Sequence, residues 1–458
     1  MREKWRDSVK ELKKVSFMAA PMVTTTVLQY LLQVVSVMMV GHLGDEVLLS
    51  GVSIATSFTS VTGFSLLFGM AGALETLCGQ AYGAEQYQKL GTYTYTAIIS
   101  LLLVCFPISI LWIFTDKFLL WMGQEPSISL VAGKYAISLI PNLVAYAVLQ
   151  SLVRYFQAQS LIHPLLCSSC AALCFHIPVC WLLVFKINMR SVGAALALGL
   201  SYWLNVVLLG LYMLFSLSCK NTRAQVSNDV VRSVPVFFRF AVPSAVMVCL
   251  EWWSYEAIIL LSGLVPNPKL EASVLSICFT VTYLHYFIPY GFGATASTRV
   301  SNELGAGNPA AAKAAVQIVV AVAAAELVAV SLALFFCRRV LGFAFSSQKE
   351  IADQIAAMGP LISLSLIVDG FQAVFSGVAR GSGWQKLGAY VNLGAYYLCG
   401  IPVGAALAFI VHLKVKGLWI GLLIGSSLQA LLLALITIST NWQKQASNAR
   451  ERMFEANS

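Results

Sequence analysis

Charged side chains are scarce in this sequence. Only 11% of its 458 residues are Asp, Glu, Lys or Arg, whereas soluble domains carry roughly 25%. Hydrophobic residues make up 59% of the chain, and the mean hydropathy is +0.79. Too few polar residues remain to cover a surface in water, so the composition excludes a soluble protein and indicates one that crosses a membrane many times.

The apolar runs do not alternate with polar residues, as the strands of a membrane β-barrel would. Each run is about 20 residues long, enough for a helix to cross a hydrocarbon core of roughly 30 Å. The charged residues 1–14 pass directly into the first run, without the short apolar core and small-residue cleavage site of a signal peptide. We therefore expect an all-α integral membrane protein whose first span is its own insertion signal.

Motifs for nucleotide chemistry are also lacking. The glycine-rich strings at 302–309 and 377–385 have no GxxxxGK[ST] phosphate cradle and no preceding strand. They predict tight turns between spans, so ATP-driven transport is not expected. The five histidines are scattered along the chain, which disfavours an integral-membrane acyl- or prenyltransferase. We expect no cofactor and no enzymatic activity.

The eleven cysteines lie almost wholly inside apolar runs, without the paired spacing of extracellular disulfides. Cys167, Cys170 and Cys174 share helical spacing beside His176, but no carboxylate or second histidine is near them in the sequence. We therefore expect the cysteines to be small packing residues and expect no metal site.

Long apolar segments are what this sequence has in abundance. Proline, glycine and charged clusters separate them into twelve spans, at about 17–40, 48–72, 91–114, 127–149, 164–185, 191–217, 240–262, 271–296, 312–337, 352–376, 387–411 and 417–440. The net charge of +9 would suit a nucleic-acid partner, but roughly two thirds of the Lys and Arg fall on one side of the membrane when alternate loops are assigned to it. This bias places both termini in the cytoplasm and predicts no nucleic-acid partner.

The two halves of the chain resemble each other at a constant offset. AAPMVTTTVLQ at 19–29 aligns with AVPSAVMVCLE at 241–251, an offset of 222 residues that pairs Pro21 with Pro243. Two more pairs follow in the same order, TLCGQAYGA (76–84) over TRVSNELGA (298–306) and, after a two-residue drift, HIPVCWLL (176–183) over GIPVGAAL (400–407). Proline removes a backbone hydrogen bond, so Pro21 and Pro243 could let their helices bend.

An even number of spans per repeat keeps both halves in the same orientation, related by an axis along the membrane normal. We therefore expect an amino-terminal lobe at 1–217 with six spans, a cytoplasmic linker at 218–239, and a carboxy-terminal lobe at 240–458 with six spans and a cytoplasmic tail. Two pseudo-symmetric lobes of this kind suit a cavity between them.

Two carboxylates interrupt the seventh span in the stretch CLEWWSYEAIILLSGL at 249–264. Glu251 lies near the middle of the span, where a carboxylate costs about 2.5–3.5 kcal/mol on insertion scales and is a functional candidate by default. Glu256 lies about 140° further round the helix, whereas Tyr255 is nearer the face of Glu251. Glu256 is equally compatible with packing between helices and with a secondary role in a cavity.

Asp369 is a further acid, in the middle of the tenth span. Two carboxylates buried together repel and favour sharing a proton, and desolvation can bring proton release near physiological pH. Either acid could therefore load and release protons. The same oxygens could instead bind sodium with the neutral oxygens of Tyr255, Tyr283, Asn392 and Tyr396, so the residues leave both ions open.

Other polar residues at membrane depth are candidates for substrate or supporting contacts. In the carboxy-terminal half they are Tyr255, Tyr283, Gln372, Asn392, Tyr396 and Glu256, and in the amino-terminal half Gln29 and Gln33. Gln29 occupies the repeat position of Glu251. Hydrogen bonding between helices is the alternative explanation for each of them.

Several long motifs resemble the multidrug and toxic compound extrusion (MATE) family, plant branch. They are MMVGHLGDEVLLSG (38–51), ALETLCGQAYGA (73–84), YFQAQ (155–159), CLEWWSYEAIILLSGL with VPNPKLEASVLSI (249–277), RVSNELGAGNP (299–309), DGFQAVFSGVARGSGWQKLGAYVNLGAYYLCGIPVG (369–404) and KGLWIGLLIG (416–425). Together they span nearly the full chain.

The resemblance implies a V-shaped pair of six-helix lobes that exports organic compounds in exchange for protons or sodium. Glu251 and Asp369 match the family's proton-linked acids, and the plant branch favours protons. Many bacterial relatives have an Asp where this chain has Ser36, so we expect coupling in the carboxy-terminal lobe alone. A lipid-linked oligosaccharide flippase is the alternative within transport, but its cavity needs bases to hold pyrophosphate.

We therefore predict a monomeric, multi-pass antiporter in the plasma or vacuolar membrane. Its substrates would be cationic or planar aromatic compounds, such as alkaloids, flavonoids or xenobiotics, because acids and aromatic rings suit them. Protonation of the carboxylates would drive the alternating access. A sodium-coupled exporter of the same fold is the alternative.

Overall fold

The computed structural model describes residues 2–266, 268–345 and 349–454. All regular elements in these ranges are helical. A helix satisfies its backbone hydrogen bonds internally, which a segment surrounded by lipid requires.

Eleven helices in the described ranges are long and apolar enough to cross a membrane, and a twelfth span consists of two helices that meet at 44°. These are α1 (Arg2–Gly41), α2 (Glu46–Gly83), α3 (Tyr87–Ile113), α4 (Pro126–Ser138 with Ile140–Ala158), α5 (Ile162–Lys186), α6 (Arg190–Phe215), α7 (Val234–Ser262), α8 (Pro268–Gly305), α9 (Pro309–Phe345), α10 (Lys349–Ser382), α11 (Gln385–Ile410) and α12 (Lys414–Ser439). A polar helix, α13 (Trp442–Phe454), follows. The twelve predicted spans are confirmed.

The glycine-rich strings form turns only at their ends. Residues 302–305 still belong to α8, and residues 377–382 still belong to α10. The chain turns at Gly307 and Gly383, whose φ angles of 77° and 85° lie in the left-handed region that glycine tolerates. The turns are therefore shorter than the sequence predicted, because α8 and α10 continue past their apolar segments into the glycine-rich strings.

The chain forms two compact units. Unit 1 comprises the residues up to Val23 together with Leu250–Ala449, and unit 2 comprises Thr24–Cys249 together with the residues from Arg450 onward. The division therefore falls inside α1, inside α7 and inside α13, whereas the sequence placed a single division in the linker at 218–239. All three helices run unbroken through these points, so helix continuity does not mark the unit boundary.

In unit 2, the linker packs against α3 and α4. Tyr155 Oη and Thr222 Oγ1 are 2.7 Å apart, and Thr96 Oγ1 donates to the backbone oxygen of Val230 over 2.9 Å. A short helix at Asn228–Arg232 lies within the linker. The linker is thus a packed part of unit 2 despite its polar composition.

The start of α1 is buried in unit 1. Val15 and Ala19 belong to one apolar core with residues of α8, α9, α10 and α13. Beside this core, Arg299 of α8 donates to both carboxylate oxygens of Glu11, over 2.8 and 3.0 Å, and also to Glu303 over 2.6 Å. Arg299 therefore fastens the first helix to α8.

Two helices of unit 1 touch through their backbones. A Cβ atom placed on Gly377 of α10 would lie 2.0 Å from the backbone oxygen of Gly293 in α8, and one on Gly381 would lie 2.5 Å from the backbone oxygen of Ser297. Small residues permit this kind of close approach between membrane helices. The glycines of the string at 377–385 therefore serve helix packing as well as the turn.

The cysteine prediction is partly wrong. Six of the eleven cysteines are buried, but Cys167, Cys170 and Cys174 are exposed on α5, as is Cys337 on α9. In a membrane span, lipid-facing positions take apolar residues as readily as buried positions do. Apolar surroundings in the sequence therefore did not distinguish the two.

Candidate functional site

Glu251 is buried in unit 1, with 7% of its surface exposed. It lies near the middle of α7, three residues after the midpoint of a 29-residue helix. Tyr286 of α8 donates from its hydroxyl to Glu251 Oε1 over 3.2 Å, and Gln429 of α12 donates from Nε2 to Oε2 over 3.3 Å. Both carboxylate oxygens therefore accept hydrogen bonds from other spans.

Gln429 connects Glu251 to further polar groups of the same unit. Its Nε2 also donates to Ser376 Oγ over 3.3 Å, and its Oε1 accepts from the hydroxyl of Tyr396 over 2.7 Å. Gln372 donates to the same Ser376 oxygen over 3.2 Å. The result is a hydrogen-bonded network among α7, α8, α10, α11 and α12, which we call the Glu251 network.

Tyr396 stands in a π-helical stretch of α11, Leu393–Gly400, and is fully buried. Its hydroxyl is 3.3 Å from Ser426 Oγ. A π-helical turn changes which side chains face the neighbouring helices and is frequent at functional sites. Here it coincides with the tyrosine that joins α11 to the network.

Asp369 is half-buried on α10 and reaches the same network from another side. Ser426, the neighbour of Tyr396, hydrogen-bonds with Asp369, whose charge also interacts with that of Glu251. Tyr396 and Ser426 thus lie between the two acids. The structure brings together the two carboxylates that the sequence selected.

Aromatic rings flank the network. Tyr255 lies 6.0 Å from Phe279 and 6.2 Å from Tyr283, measured between ring centroids, and Phe279 lies 5.1 Å from Trp419. Tyr283 retains 37% of its surface exposed. Tyr255 and Tyr283 therefore form a partly open aromatic face, with Phe279 and Trp419 packed behind it.

Two further predicted residues lie near these groups in different ways. Asn392 is fully buried on α11, just before the π-helical stretch that holds Tyr396. Glu256 is half-buried on α7, which is continuous through it, so the helical spacing keeps it about 140° from Glu251. Glu256 therefore lies on a different face of α7 from Glu251.

The predicted residues of the amino-terminal half lie in unit 2. Gln33 donates to the hydroxyl of Tyr202 over 3.4 Å, and the ring of Tyr202 lies 5.8 Å from that of Tyr146. Gln29 is half-buried, and its Nε2 has no hydrogen-bond partner within the described part of the chain. These two glutamines therefore belong to a different unit from the Glu251 network.

Ser36 of α1 bonds to a histidine. Its hydroxyl is 3.0 Å from His176 Nε2, and Ser201 Oγ is 3.0 Å from His176 Nδ1. His176 is fully buried. It therefore joins α1, α5 and α6. No group of His, Cys, Asp and Glu that could hold a metal ion lies among the residues that the structure describes.

Pro21 and Pro243, the predicted bending points, both lie inside helices that remain unbroken. α1 runs continuously through Pro21, and α7 through Pro243. Bending at these positions stays a prediction.

Sequence reasoning missed several members of the network, namely Tyr286, Ser376, Ser426 and Gln429. A usable signal existed for two of them, because Ser426 and Gln429 are polar residues three apart in the middle of the apolar α12. Glu326 was also missed, although it interrupts the run AVAAAELVAV at 321–330.

A family model, MatE, matches this chain twice, at residues 21–182 and 243–406. The two matches begin 222 residues apart and end 224 residues apart, which are the offsets at which the two halves align in the sequence. The internal repeat is confirmed.

Protein DETOXIFICATION 14 from Arabidopsis thaliana is 56% identical over 446 residues, which is 97% of this chain and 92% of that protein. The crystal structure of the eukaryotic MATE transporter AtDTX14 superposes with a TM-score of 0.93 at 55% identity, over 98% of this chain and 100% of that one. An outward-facing multidrug resistance MATE transporter of the MOP superfamily shares the fold, with a TM-score of 0.83 at 15% identity over 96% and 97% of the chains. This chain therefore belongs to the MATE family of multidrug and toxin efflux transporters.

Proposed function

We propose that this transporter exports organic solutes in exchange for protons, and that Glu251 and Asp369 bind the protons. The observation that carries the proposal is the Glu251 network itself. A carboxyl group at mid-span, 7% exposed, accepts hydrogen bonds from α8 and α12 and is connected through Tyr396 and Ser426 to a second acid. Intramembrane acids of this kind mark proton relays in transporters.

Protonation of Glu251 would rearrange the network. Tyr286 and Gln429 both offer hydrogens to the ionised carboxylate, whereas a protonated carboxyl offers a hydrogen of its own on one oxygen. The partner at that oxygen must then turn away or present an acceptor. When Gln429 turns, its bonds to Ser376 and Tyr396 break as well, so one proton changes the contacts of four spans.

The two acids act as a pair. Their charges interact, and two carboxylates in a low-dielectric site favour the state that shares one proton. Loss of that proton to the cytoplasm and its return from the other side would alternately charge and neutralise the site. Substrate affinity would fall on protonation, because the bonds that order the network are then lost.

The donor groups on both oxygens of Glu251 favour protons over sodium. A sodium ion needs several oxygen ligands, whereas the described neighbours of Glu251 present an amide N–H and a phenolic O–H. Sodium coupling is therefore the second candidate, and it would have to use the oxygens of Asp369, Ser426 and Tyr396.

The aromatic face supports a cationic or planar aromatic substrate. Tyr283 is 37% exposed and lies beside Tyr255, next to the acids of the network. Rings attract organic cations through their π faces and stack on planar molecules. Alkaloids, flavonoids and xenobiotics of this chemistry are the substrates that we propose.

We also propose that the transporter works as a monomer in the plasma or vacuolar membrane, with both termini in the cytoplasm. The positive-inside bias of the loops supports this orientation. Labelling of single cysteines at residues 10 and 444, on α1 and α13, from either side of a sealed vesicle would test it.

Transport in proteoliposomes under separately imposed proton and sodium gradients tests the coupling. Wild type should accumulate a cationic dye against a proton gradient and should not respond to sodium alone. Glu251→Gln and Asp369→Asn should lose proton-driven uptake, while Glu350→Gln, at the exposed start of α10, should keep it. Full proton-driven uptake in both network variants would refute the proposed mechanism, and uptake driven only by sodium would favour the second candidate.

A further inference from the structure

Glu326 is an additional carboxyl group at membrane depth in unit 1. It lies at the centre of α9, Pro309–Phe345, among alanine, valine and leucine residues. An acid at such a position costs about 2.5–3.5 kcal/mol on insertion scales and calls for a partner. Its only neighbours in its own stretch are apolar, so the partner must come from another helix.

His285 of α8 is that partner. Its Nε2 is 2.9 Å from Glu326 Oε1, and the side chains are 8% and 21% exposed. The other carboxyl oxygen, Oε2, is buried and has no hydrogen-bond partner in the ranges that the structure describes. A buried unpaired oxygen of a charged carboxylate is costly, whereas the same oxygen can carry a proton when the group is neutral.

The His285 and Glu326 pair lies beside Asp369. Gly370 packs directly on Leu327, since a Cβ atom at Gly370 would lie 2.1 Å from the Leu327 side chain. The residues that precede these two, Asp369 and Glu326, therefore lie on neighbouring helices within one turn of this contact. His285 is also close enough to Asp369 for their charges to interact.

We propose that His285 and Glu326 form a second proton-binding site, which exchanges a proton with Asp369. The proposal rests on the proposed proton coupling, and it adds a store for one proton outside the Glu251 network. The step is a simple proton transfer: the proton leaves the ring nitrogen of His285 that Glu326 does not bind for a carboxylate oxygen of Asp369, and Glu326 keeps the histidine oriented through Nε2. Charge is conserved, because the imidazolium becomes neutral as the carboxylate does.

The titratable groups that face the pair set its behaviour. Asp369 of α10 interacts with the charge of His285. Glu251 of α7 interacts in turn with Asp369, and Arg380 of α10 interacts with Glu251. A proton taken up by Asp369 removes one negative charge from beside His285. A proton on Asp369 therefore opposes a second proton on the His285 and Glu326 pair, so the two sites exchange one proton rather than hold two.

Infrared difference spectra between acid and neutral pH test proton binding directly, with the full chain purified in lipid. Wild type should show a protonated-carboxyl band that Glu326→Gln removes and Glu350→Gln leaves unchanged. His285→Gln, which keeps a hydrogen-bonding side chain but cannot be charged, should move the midpoint of that band by roughly one pH unit, the effect of one nearby charge. A carboxyl spectrum identical to that of wild type in Glu326→Gln would overturn the proposal.

Transport then tests the link to Asp369. Proton-driven uptake should fall by roughly fivefold or more in His285→Gln, at the lower end of the coupling between linked sites, with binding of a cationic dye at neutral pH unchanged. Equal uptake in His285→Gln and wild type at every pH would also overturn the proposal. If wild type itself fails to respond to a proton gradient while the Glu326 band is present, the proposed coupling fails and the proton site stands.

Discussion

Gln429 Nε2 lies 3.3 Å from Glu251 Oε2 and 3.3 Å from Ser376 Oγ, so one amide nitrogen bonds two side chains on two other helices. Its oxygen accepts a third bond, from Tyr396. The amide therefore uses its donors and its acceptor within a fully buried position. A single glutamine holds the acid of α7 in register with α10 and α11.

Gln429→Leu should lower the free energy of unfolding by about 1–3 kcal/mol, because buried polar groups on the neighbouring helices lose a partner. Thermal unfolding of the purified protein in detergent measures the change. Gln124→Leu, at an exposed loop position, provides the control and should unfold at the wild-type temperature. An unchanged melting temperature in Gln429→Leu would show that the network contributes no stability.

Glu11→Gln should destabilise unit 1 by about 3 kcal/mol, at the low end for a broken buried ion pair, because Arg299 retains Glu303 as a second partner. The pair is well shielded, with Arg299 and Glu11 side chains 11% and 10% exposed. A double-mutant cycle with Arg299→Gln, followed by thermal unfolding, measures their coupling.

Lys14→Gln is the control for this cycle. Lys14 also approaches Glu11, at 3.9 Å, but it is 62% exposed, so its replacement should change stability by about 0.5 kcal/mol or less. Equal effects of Lys14→Gln and Arg299→Gln would contradict the anchoring role of Arg299.

Gly377→Ala should destabilise the protein by roughly 1–3 kcal/mol or prevent its folding, because the added methyl group would meet the backbone of Gly293 at 2.0 Å. Gly210→Ala on α6 introduces the same methyl group with nothing within 4 Å, and it should be neutral or stabilising. Yield and thermal unfolding of the two variants, prepared side by side, give the comparison. Equal stability would mean that α8 and α10 can move apart freely.

Pro21→Ala and Pro243→Ala should slow transport without lowering the melting temperature, because each restores a backbone donor that proline lacks and stiffens its helix. Pro107→Ala in α3, another proline inside a helix, should leave the transport rate unchanged. Initial uptake rates under a fixed proton gradient provide the measurement. Wild-type rates in both Pro21→Ala and Pro243→Ala would exclude bending at these residues as a step in transport.

The sequence was sufficient for the twelve spans, and it selected Glu251 and Asp369 as candidate site residues. Spans can be recognised because a helix that crosses lipid needs about 20 apolar residues in succession. The acids can be recognised because they interrupt these apolar runs. Glu326 follows the same rule but belongs to none of the quoted motifs, and it was overlooked for that reason. The signal was present in the sequence.

The partners of the acids were less predictable. Tyr286 and Gln429 are separated from Glu251 by 35 and 178 residues, so only the packing of the helices brings them together. The same limitation affects the exposed cysteines of α5, because a one-dimensional pattern contains no information on which side of an apolar helix meets lipid. The unit boundaries within α1 and α7 likewise depend on packing rather than on local composition.

The backbone contact between α8 and α10 has a mechanical consequence. No side chains lie between Gly293 and Gly377, so none can change rotamer there to let one helix slide past the other. Packed interiors also resist gradual deformation. α8 carries Tyr286 and His285, while α10 carries Asp369. A tilt that starts at one of these residues should therefore move α8 and α10 together. A displacement of a fraction of an ångström at the acids would then become a larger displacement at the ends of the two helices.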